Sequence, residues 1–454
     1  KTNLLDLTVQ EVLFFPRLEN TLKFLLAEAV FLLPHVINFL LLSTFNRRFI
    51  MRRLVAIAMT CAAMGIGISS GAYAATFKWA SQGDILTFDP HAQNEAFNNT
   101  ANSYVYEALV NLNKGKVTPS LAESWTSVPE GFVFKLRKGV KFHEGETLTA
   151  EDVAFSINRA LHPISQFKTF TAGILGAEAL PNGDVLIKTI NHSPVLLNQL
   201  AYLRILNKAW AEKHGATAPQ NFVAKEEAYA AKHANGTGPF KLQSREVDIK
   251  TVFVENPDWW NKANKVGNVT EGIYTPIKSA ATRMAALLSG EVDFVPEPAT
   301  QDIQRLKNRA RVRRLRGGRL GQLKNNSKVK LQSGPELRVL MISLDQMRDE
   351  SPYVFVDGKK TDKNPFKDIR VRQALYQAID IKTLQRAVMR GFSIPNGTIV
   401  SSETNGWSAK AADRLPYDPQ AAKKLLAEAG YPNGFEFTLD CPNNRYINDE
   451  AIGK

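Results

Sequence analysis

Pro119 to Ser156 reads PSLAESWTSVPEGFVFKLRKGVKFHEGETLTAEDVAFS, a close succession of strand, turn and helix-start signals. Phe132, Phe134 and Leu136 alternate with polar neighbours, which puts the apolar groups on one face of a strand. Lys138-Gly139 turns the chain, Val140-Lys141-Phe142 alternates again, and Glu144-Gly145-Glu146 makes a second turn. Thr149 then stands three residues before Asp152 in a capping-box pattern that predicts a helix start. Val153, Phe155, Ile157 and Leu161 supply that helix's apolar side.

Further blocks follow in order. They are Gly236-Thr237-Gly238-Pro239-Phe240, Asn256-Pro257-Asp258-Trp259-Trp260, RMAALLSGEVD from Arg283 to Asp293, and NPFKDIRVRQALYQAID from Asn364 to Asp380. Together with residues 119–156 they resemble the family 5 extracellular solute-binding proteins, the periplasmic oligopeptide- and dipeptide-binding receptors of ABC importers. The resemblance implies an α/β, two-lobed periplasmic-binding-protein fold, type II-like, with an extra subdomain. It also implies a second lobe that is incomplete at Lys454, because family members continue further. The expected organisation is lobe I from residues 75–117 and 236–336, the extra subdomain at 118–235, and lobe II at 337–454.

At 454 residues the chain exceeds what one core usually serves, so more than one lobe is expected. The net charge of +13 points first to nucleic acid or an anionic membrane, but its distribution does not. Residues 308–324 carry seven basic side chains and no acid, and residues 1–74 a net +3, which leaves only +3 for the body. Leu306-Lys307-Asn308 recurs as Leu323-Lys324-Asn325, so 308–324 reads as a duplicated or foreign basic insertion. No aromatic interleaves its arginines to stack on bases, which argues against a nucleic-acid partner.

Met51-Arg52-Arg53, the apolar run Leu54 to Ile68 and the small-residue ending Ala72-Tyr73-Ala74 form a secretory leader over 51–74. It predicts a periplasmic protein starting at Ala75. Residues 1–50 read as translated sequence upstream of Met51. The rival is a membrane anchor built on the apolar run Phe24 to Phe45, against which Pro34 in mid-segment argues. With Cys61 inside the leader, Cys441 remains alone and sets up no internal disulfide.

In the body, Phe77 to Ala80 reads as a first strand, Tyr104 to Val110 as a helix, and Phe240–Leu242 and Thr251–Glu255 as strands. Ala280 to Leu288 reads as a helix closed by Gly290, with a strand at Val292 to Val295 after it. Val371, Ala374, Leu375, Ala378 and Ile379 keep a helical stripe; Asp418-Pro419 opens another helix that ends at Gly430; Phe435 to Leu439 reads as a strand.

The seven histidines are scattered singly and form no metal spacing. His143-Glu144 is the nearest candidate pair and reads as a solvated turn. There is no G-x-S-x-G elbow, and Gly236-Thr237-Gly238 lacks the lysine of a phosphate loop, so its glycines read as allowing a tight crossing. The expectation is a non-enzyme without cofactor or metal. The resemblance implies that two lobes close on a solute, with peptides held through their backbone and an ABC permease receiving them from a monomeric receptor. A sugar, a nickel chelate, an opine or glutathione are the alternative solutes. In the family the Asp89-Pro90-His91 turn leads into a loop at the cleft, so Asn94, Glu95, Ala96 and Phe97 are expected to line it. Phe167 and Phe170 are expected from the extra subdomain and Trp407 from lobe II. Trp125, Trp259 and Trp260 are expected to be structural.

Overall fold

The computed structural model describes residues 75–303, 306 and 329–454, except 114, 192 and 444. The upstream segment, the leader at 51–74 and the basic insertion at 308–324 lie outside the described residues. Residues 261–270 contain a helical turn at Lys262–Asn264, and Lys265 Nζ donates to the Val269 carbonyl at 2.8 Å.

In chain order the strands are β1 (Ala75–Ser81), β2 (Val110–Asn113), β3 (Lys116–Pro119), β4 (Ala122–Val128), β5 (Gly131–Leu136), β6 (Ile174–Ala179) and β7 (Val185–Thr189). After them come β8 (Phe240–Glu246), β9 (Lys250–Glu255), β10 (Val269–Pro276), β11 (Val354–Val356), β12 (Lys359–Lys360) and β13 (Glu436–Phe437). The longer helices are α1 (Ala96–Val105), α2 (Ala150–Ala160), α3 (Ala280–Ser289), α4 (Ile369–Ala378) and α5 (Pro419–Glu428).

Two four-stranded sheets dominate, ordered β1-β10-β9-β8 and β4-β5-β7-β6. In the second, Phe132 faces Ile187 and Phe134 faces Val185 across antiparallel ladders, and Phe132, Phe134 and Leu136 are all buried. Each such side chain contributes about 1.5–3 kcal/mol of hydrophobic stabilisation. Val140 and Phe142 are buried as their alternation predicts; the Phe142 N–H donates to the Glu146 oxygen at 2.7 Å and the Val140 oxygen accepts the Leu148 N–H at 2.9 Å, which makes one isolated bridge, Lys141 to Thr147.

The capping box forms: the Thr149 N–H donates to Asp152 Oδ2 at 2.9 Å, and the Asp152 N–H donates to Thr149 Oγ1 at 3.3 Å. Helix α2 buries more than its apolar side. Val153 and Ile157 join the core under the second sheet, while Phe155 packs against the core under the first. Asp152, Ser156 and Arg159 form a buried polar stripe between them.

Two expected elements are corrected. Tyr104 to Val110 is not a helix. The helix begins at Ala96 and ends at Val105, because the Glu95 carboxylate caps it by accepting the Asn98 N–H at 2.9 Å, and the chain then straightens so that Ala108 bridges Arg204. Val292 to Val295 makes only an isolated parallel bridge, Phe294 to Trp79, although Val292 and Val295 are buried with Ala80. Other elements match: Gly290 caps α3 in the left-handed conformation with φ +83°, and Asp418 caps α5. The expected strand 435–439 shortens to β13, paired with β11. Around it, Val354, Phe366 and Val371 form a separate core, with Leu375, Leu426 and Phe435 packed on it.

The chain crosses itself closely at 236–238. A Cβ on Gly236 would sit 2.1 Å from the Val105 carbonyl oxygen, and one on Gly238 would sit 2.6 Å from the Tyr104 and Val105 oxygens. Only glycine permits that approach. His143 takes part too, through its N–H to the Gly236 oxygen at 2.9 Å and Nε2 to the Gly238 oxygen at 3.1 Å. Glu144 Oε1 accepts Trp210 Nε1 at 2.9 Å, so the His143-Glu144 turn is engaged rather than merely solvated. Replacing Gly236 by alanine is expected to cost about 2–3 kcal/mol, because the clash is with backbone that cannot swing away. Urea unfolding of the variant beside the parent checks this, and an unchanged midpoint would contradict it.

Candidate functional site

The site is organised by the turn Thr87 to His91. Asp89, His91 and Arg159 are all at least 96% buried, and their charges are matched. Arg159 Nη1 and Nη2 donate to Asp89 Oδ1 and Oδ2, both at 2.7 Å, in a bidentate pair. Its remaining donors reach the Ala216 oxygen at 2.9 Å and the Ala218 oxygen at 2.8 Å. The Gln220 N–H adds a bond to Asp89 Oδ2 at 2.8 Å. Burial pushes the Asp89 carboxyl up, but Arg159 and the Gln220 N–H hold it below the usual carboxylate value.

His91 Nδ1 lies 3.1 Å from Arg159 Nη1, and Nε2 lies 3.0 Å from the Arg204 carbonyl oxygen. A guanidinium only donates and a carbonyl only accepts, so His91 is neutral with its proton on Nε2. Burial, followed by the Arg159 charge, drops its pKa to about 3.

This buried node fixes one end of the expected binding loop, and Asn98 fixes the other. The buried Asn98 amide oxygen accepts the N–H groups of Leu86 and Thr87 at 3.1 and 3.0 Å. Between the anchors, Asn94 and Ala96 are exposed, while Glu95 and Phe97 are half-buried. Asn94 Oδ1 accepts Asn99 Nδ2 at 2.8 Å, which leaves its own amide donors outward. The Glu95 carboxylate serves as the α1 cap, and the Phe97 ring lies 5.2 Å from Tyr274. The loop therefore presents polar groups and backbone from a rigid base, which suits recognition by hydrogen bonding.

Phe167 is attached to the same node. It is buried, its ring meets His91 edge-on at 5.9 Å, and Ser165 Oγ, two residues earlier, donates to the His91 oxygen at 3.0 Å. Phe170 lies 5.8 Å from Phe167 and stacks on Tyr202 at 4.4 Å, leaving Tyr202 37% exposed. Phe167 and Phe170 thus share the His91 anchor with the loop that follows it, but their rings pack on the core under the second sheet, whereas Phe97 packs on the core under the first. Trp407 is half-buried in a loop held by Asn396 Nδ2 to the Thr398 and Val400 oxygens at 2.8 and 2.7 Å. Among the described residues, no hydrogen bond or ring contact joins Trp407 to the other expected site residues.

Sequence reasoning missed Arg159 and Tyr202. The signal for Arg159 was present, because Asp152, Ser156 and Arg159 recur at helical spacing beside the apolar stripe. The structural tryptophans behave as expected. Trp259 and Trp260 Nε1 donate to Glu107 at 3.2 and 2.9 Å, Thr237 Oγ1 adds a bond at 2.9 Å, and Trp125 lies 6.2 Å from Phe134. Burial raises the Glu107 carboxyl, against the pull of these donors. A depression of about 200 Å³ lined by Lys78, Ile273, Thr275, Ile277, Glu291 and Val292 contains none of the expected site residues. Among the described residues, no group of three or more His, Cys, Asp or Glu is placed to hold a metal, and no helix is long and apolar enough to cross a membrane.

The family model described as bacterial extracellular solute-binding proteins, family 5 middle, matches residues 116–453. Heme-binding protein A of Haemophilus influenzae is 29% identical over 381 residues, covering 80% of this chain and 63% of that protein. The glutathione-binding protein GsiB of Escherichia coli is 28% identical over 371 residues, covering 80% and 62%. The chain therefore spans less than two thirds of the length of these relatives. Among solved structures, MoaA of A. tumefaciens R10 with mannopinic acid has a TM-score of 0.58 at 26% identity, covering 80% of this chain and 66% of that one. DppA of Helicobacter pylori with the peptide STSA has a TM-score of 0.60 at 23% identity, covering 80% and 67%. These likenesses carry the α/β periplasmic-binding-protein fold.

Proposed function

Because the chain belongs to the bacterial extracellular solute-binding proteins of family 5, we propose that it is the receptor of an ABC importer, capturing a peptide between two lobes in the periplasm and delivering it to the membrane permease. The leader at 51–74 would export it, and it would act as a monomer with lobe I at 75–117 and 236–336, the extra subdomain at 118–235 and lobe II from 337. The observation that carries the reading is the loop 94–97, which offers outward polar groups and backbone from a base locked by the Asp89–Arg159–His91 node. A pre-formed, hydrogen-bonding surface on a rigid base costs little to order when a ligand arrives. Phe170 and the half-exposed Tyr202 would add a flat apolar wall beside Phe167, and Trp407 a contact from the second lobe.

A second reading keeps the fold and changes the solute, since the relatives above are named for heme and glutathione and a solved neighbour holds mannopinic acid. Thermal unfolding of the full chain with di- to pentapeptides, glutathione, heme and mannopinic acid separates the two. A ligand at a hundredfold excess over its dissociation constant stabilises by about 2.7 kcal/mol. Stabilisation by peptides supports the first reading. A response to glutathione, heme or mannopinic acid alone selects the second, and no response to any of them overturns the receptor reading.

A further inference from the structure

A compact polar turn bridges two segments of the chain that adjoin different hydrophobic cores. Asp449, buried to 94%, accepts the N–H groups of Arg445 and Tyr446 on Oδ2 at 2.9 and 3.0 Å, which closes residues 445–449 into a turn. Asn448 sits within it at φ +58°, a left-handed conformation that asparagine tolerates better than most residues. Its one amide nitrogen donates twice, to Thr300 Oγ1 at 2.9 Å and to the Val388 carbonyl oxygen at 2.9 Å.

These two acceptors lie in segments adjoining different hydrophobic cores, the second body being the one built on Val354, Phe366 and Val371. Thr300 is buried in the segment after Val292 and Val295, which pack with Ala80 of β1. Val388 lies in the helical continuation after α4, whose Val371 belongs to the second core. A second tie runs alongside. Arg338 Nη1 donates to Glu297 Oε1 at 3.0 Å, its Nε lies 3.3 Å from Glu336 Oε1, and its guanidinium lies 5.3 Å from the Tyr446 ring centroid. The Arg445 guanidinium lies 5.2 Å from the same ring.

We propose that the 445–449 turn is a latch. Through Asn448 and the Arg338–Tyr446 contact it holds the 297–300 segment to the second body, and so sets the balance between open and closed arrangements. Thr300 and Asn448 are the partners that matter most, because Thr300 is buried whereas Arg338 and Glu297 are each about one-third exposed and water weakens their pair. Releasing the Asn448 bridge leaves each body intact and frees only their junction. The latch rests on the two-lobe closure proposed above, but its first test needs no ligand.

The test is hydrogen exchange on the full chain, comparing the parent with Asn448→Gly, which removes the amide while keeping the left-handed backbone comfortable. The expected result is exchange about tenfold faster in residues 297–303 and 384–391 together, with β4, β5 and β7 unchanged. Thr300→Val removes only the hydroxyl partner and should accelerate both segments to a smaller degree, which keeps the test available if the glycine variant folds poorly. Acceleration of one segment without the other, or of neither, overturns the latch. A latch that passes this test while no solute stabilises the parent would leave the coupling standing and remove the receptor reading.

Discussion

Asp89→Ala is expected to destabilise the protein by about 3–5 kcal/mol, because it leaves the Arg159 guanidinium buried with no counter-charge. Both carboxylate oxygens are within 2.7 Å of Arg159 donors, and the arginine side chain is 0% exposed. Water cannot reach it to compensate. Arg159 also holds the backbone oxygens of Ala216 and Ala218, so the damage spreads to the segment that follows residues 208–213. Removing both partners in Asp89→Ala with Arg159→Met should cost less than the sum of the single changes, since the orphaned charge is gone. Urea unfolding followed by tryptophan fluorescence measures all three variants. A single-variant loss below about 1 kcal/mol would mean the pair is not the anchor described here.

Acidification is the second large effect. His91 and His143 have folded-state pKa values pushed down to about 3 and about 4 from 6.5, mainly by burial. In the pH range between, the unfolded chain binds protons that the folded chain refuses, so stability falls as pH drops. Their contribution is complete above about 6.5, and by pH 4.5 each histidine has given up roughly 3 kcal/mol. Asp89 acts in the same direction at still lower pH, since its carboxyl is held below the ordinary value. Glu107 opposes them. Its raised carboxyl contributes stability below the unfolded value of 4.5 that is lost as pH rises through its folded pKa, which blunts the slope. Denaturation midpoints from pH 7.5 to 4.5 should therefore fall steeply in the parent, and less steeply in His91→Phe. A parent whose midpoint is flat over that range would refute the buried neutral imidazoles.

Much of this was written in local pattern. The alternation at Phe132, Phe134 and Leu136, the Thr149–Asp152 cap and the Gly290 stop are short-range devices, and each appears where its chemistry places it. The helix expected at 104–110 was misplaced because Tyr104, Val105 and Tyr106 are apolar for burial, not for helical packing, and the deciding group is the Glu95 cap nine residues earlier. The polar loop at 94–97 followed from the turn before it. What holds that loop could not be read locally, because Asp89 and Arg159 are 70 residues apart and a buried charge is legible only once its partner is known. Phe170 was expected at the cleft from the resemblance, whereas Tyr202, which stacks on it, sits in a segment with no periodic signal of its own.

The order of strands in the first sheet has a consequence for the order in which the chain can fold. β1 hydrogen-bonds to β10, and Thr76 reaches Glu271 across 195 positions of chain. The strands β4 to β7 are contiguous and can pair among themselves, so they form a finished island while the first strand still has no neighbour. β1 stays unpaired until the chain 195 positions further on closes onto it. Until then the folding chain carries Phe77 and Trp79 on an unpaired edge, the kind of surface that chaperones exist to shield.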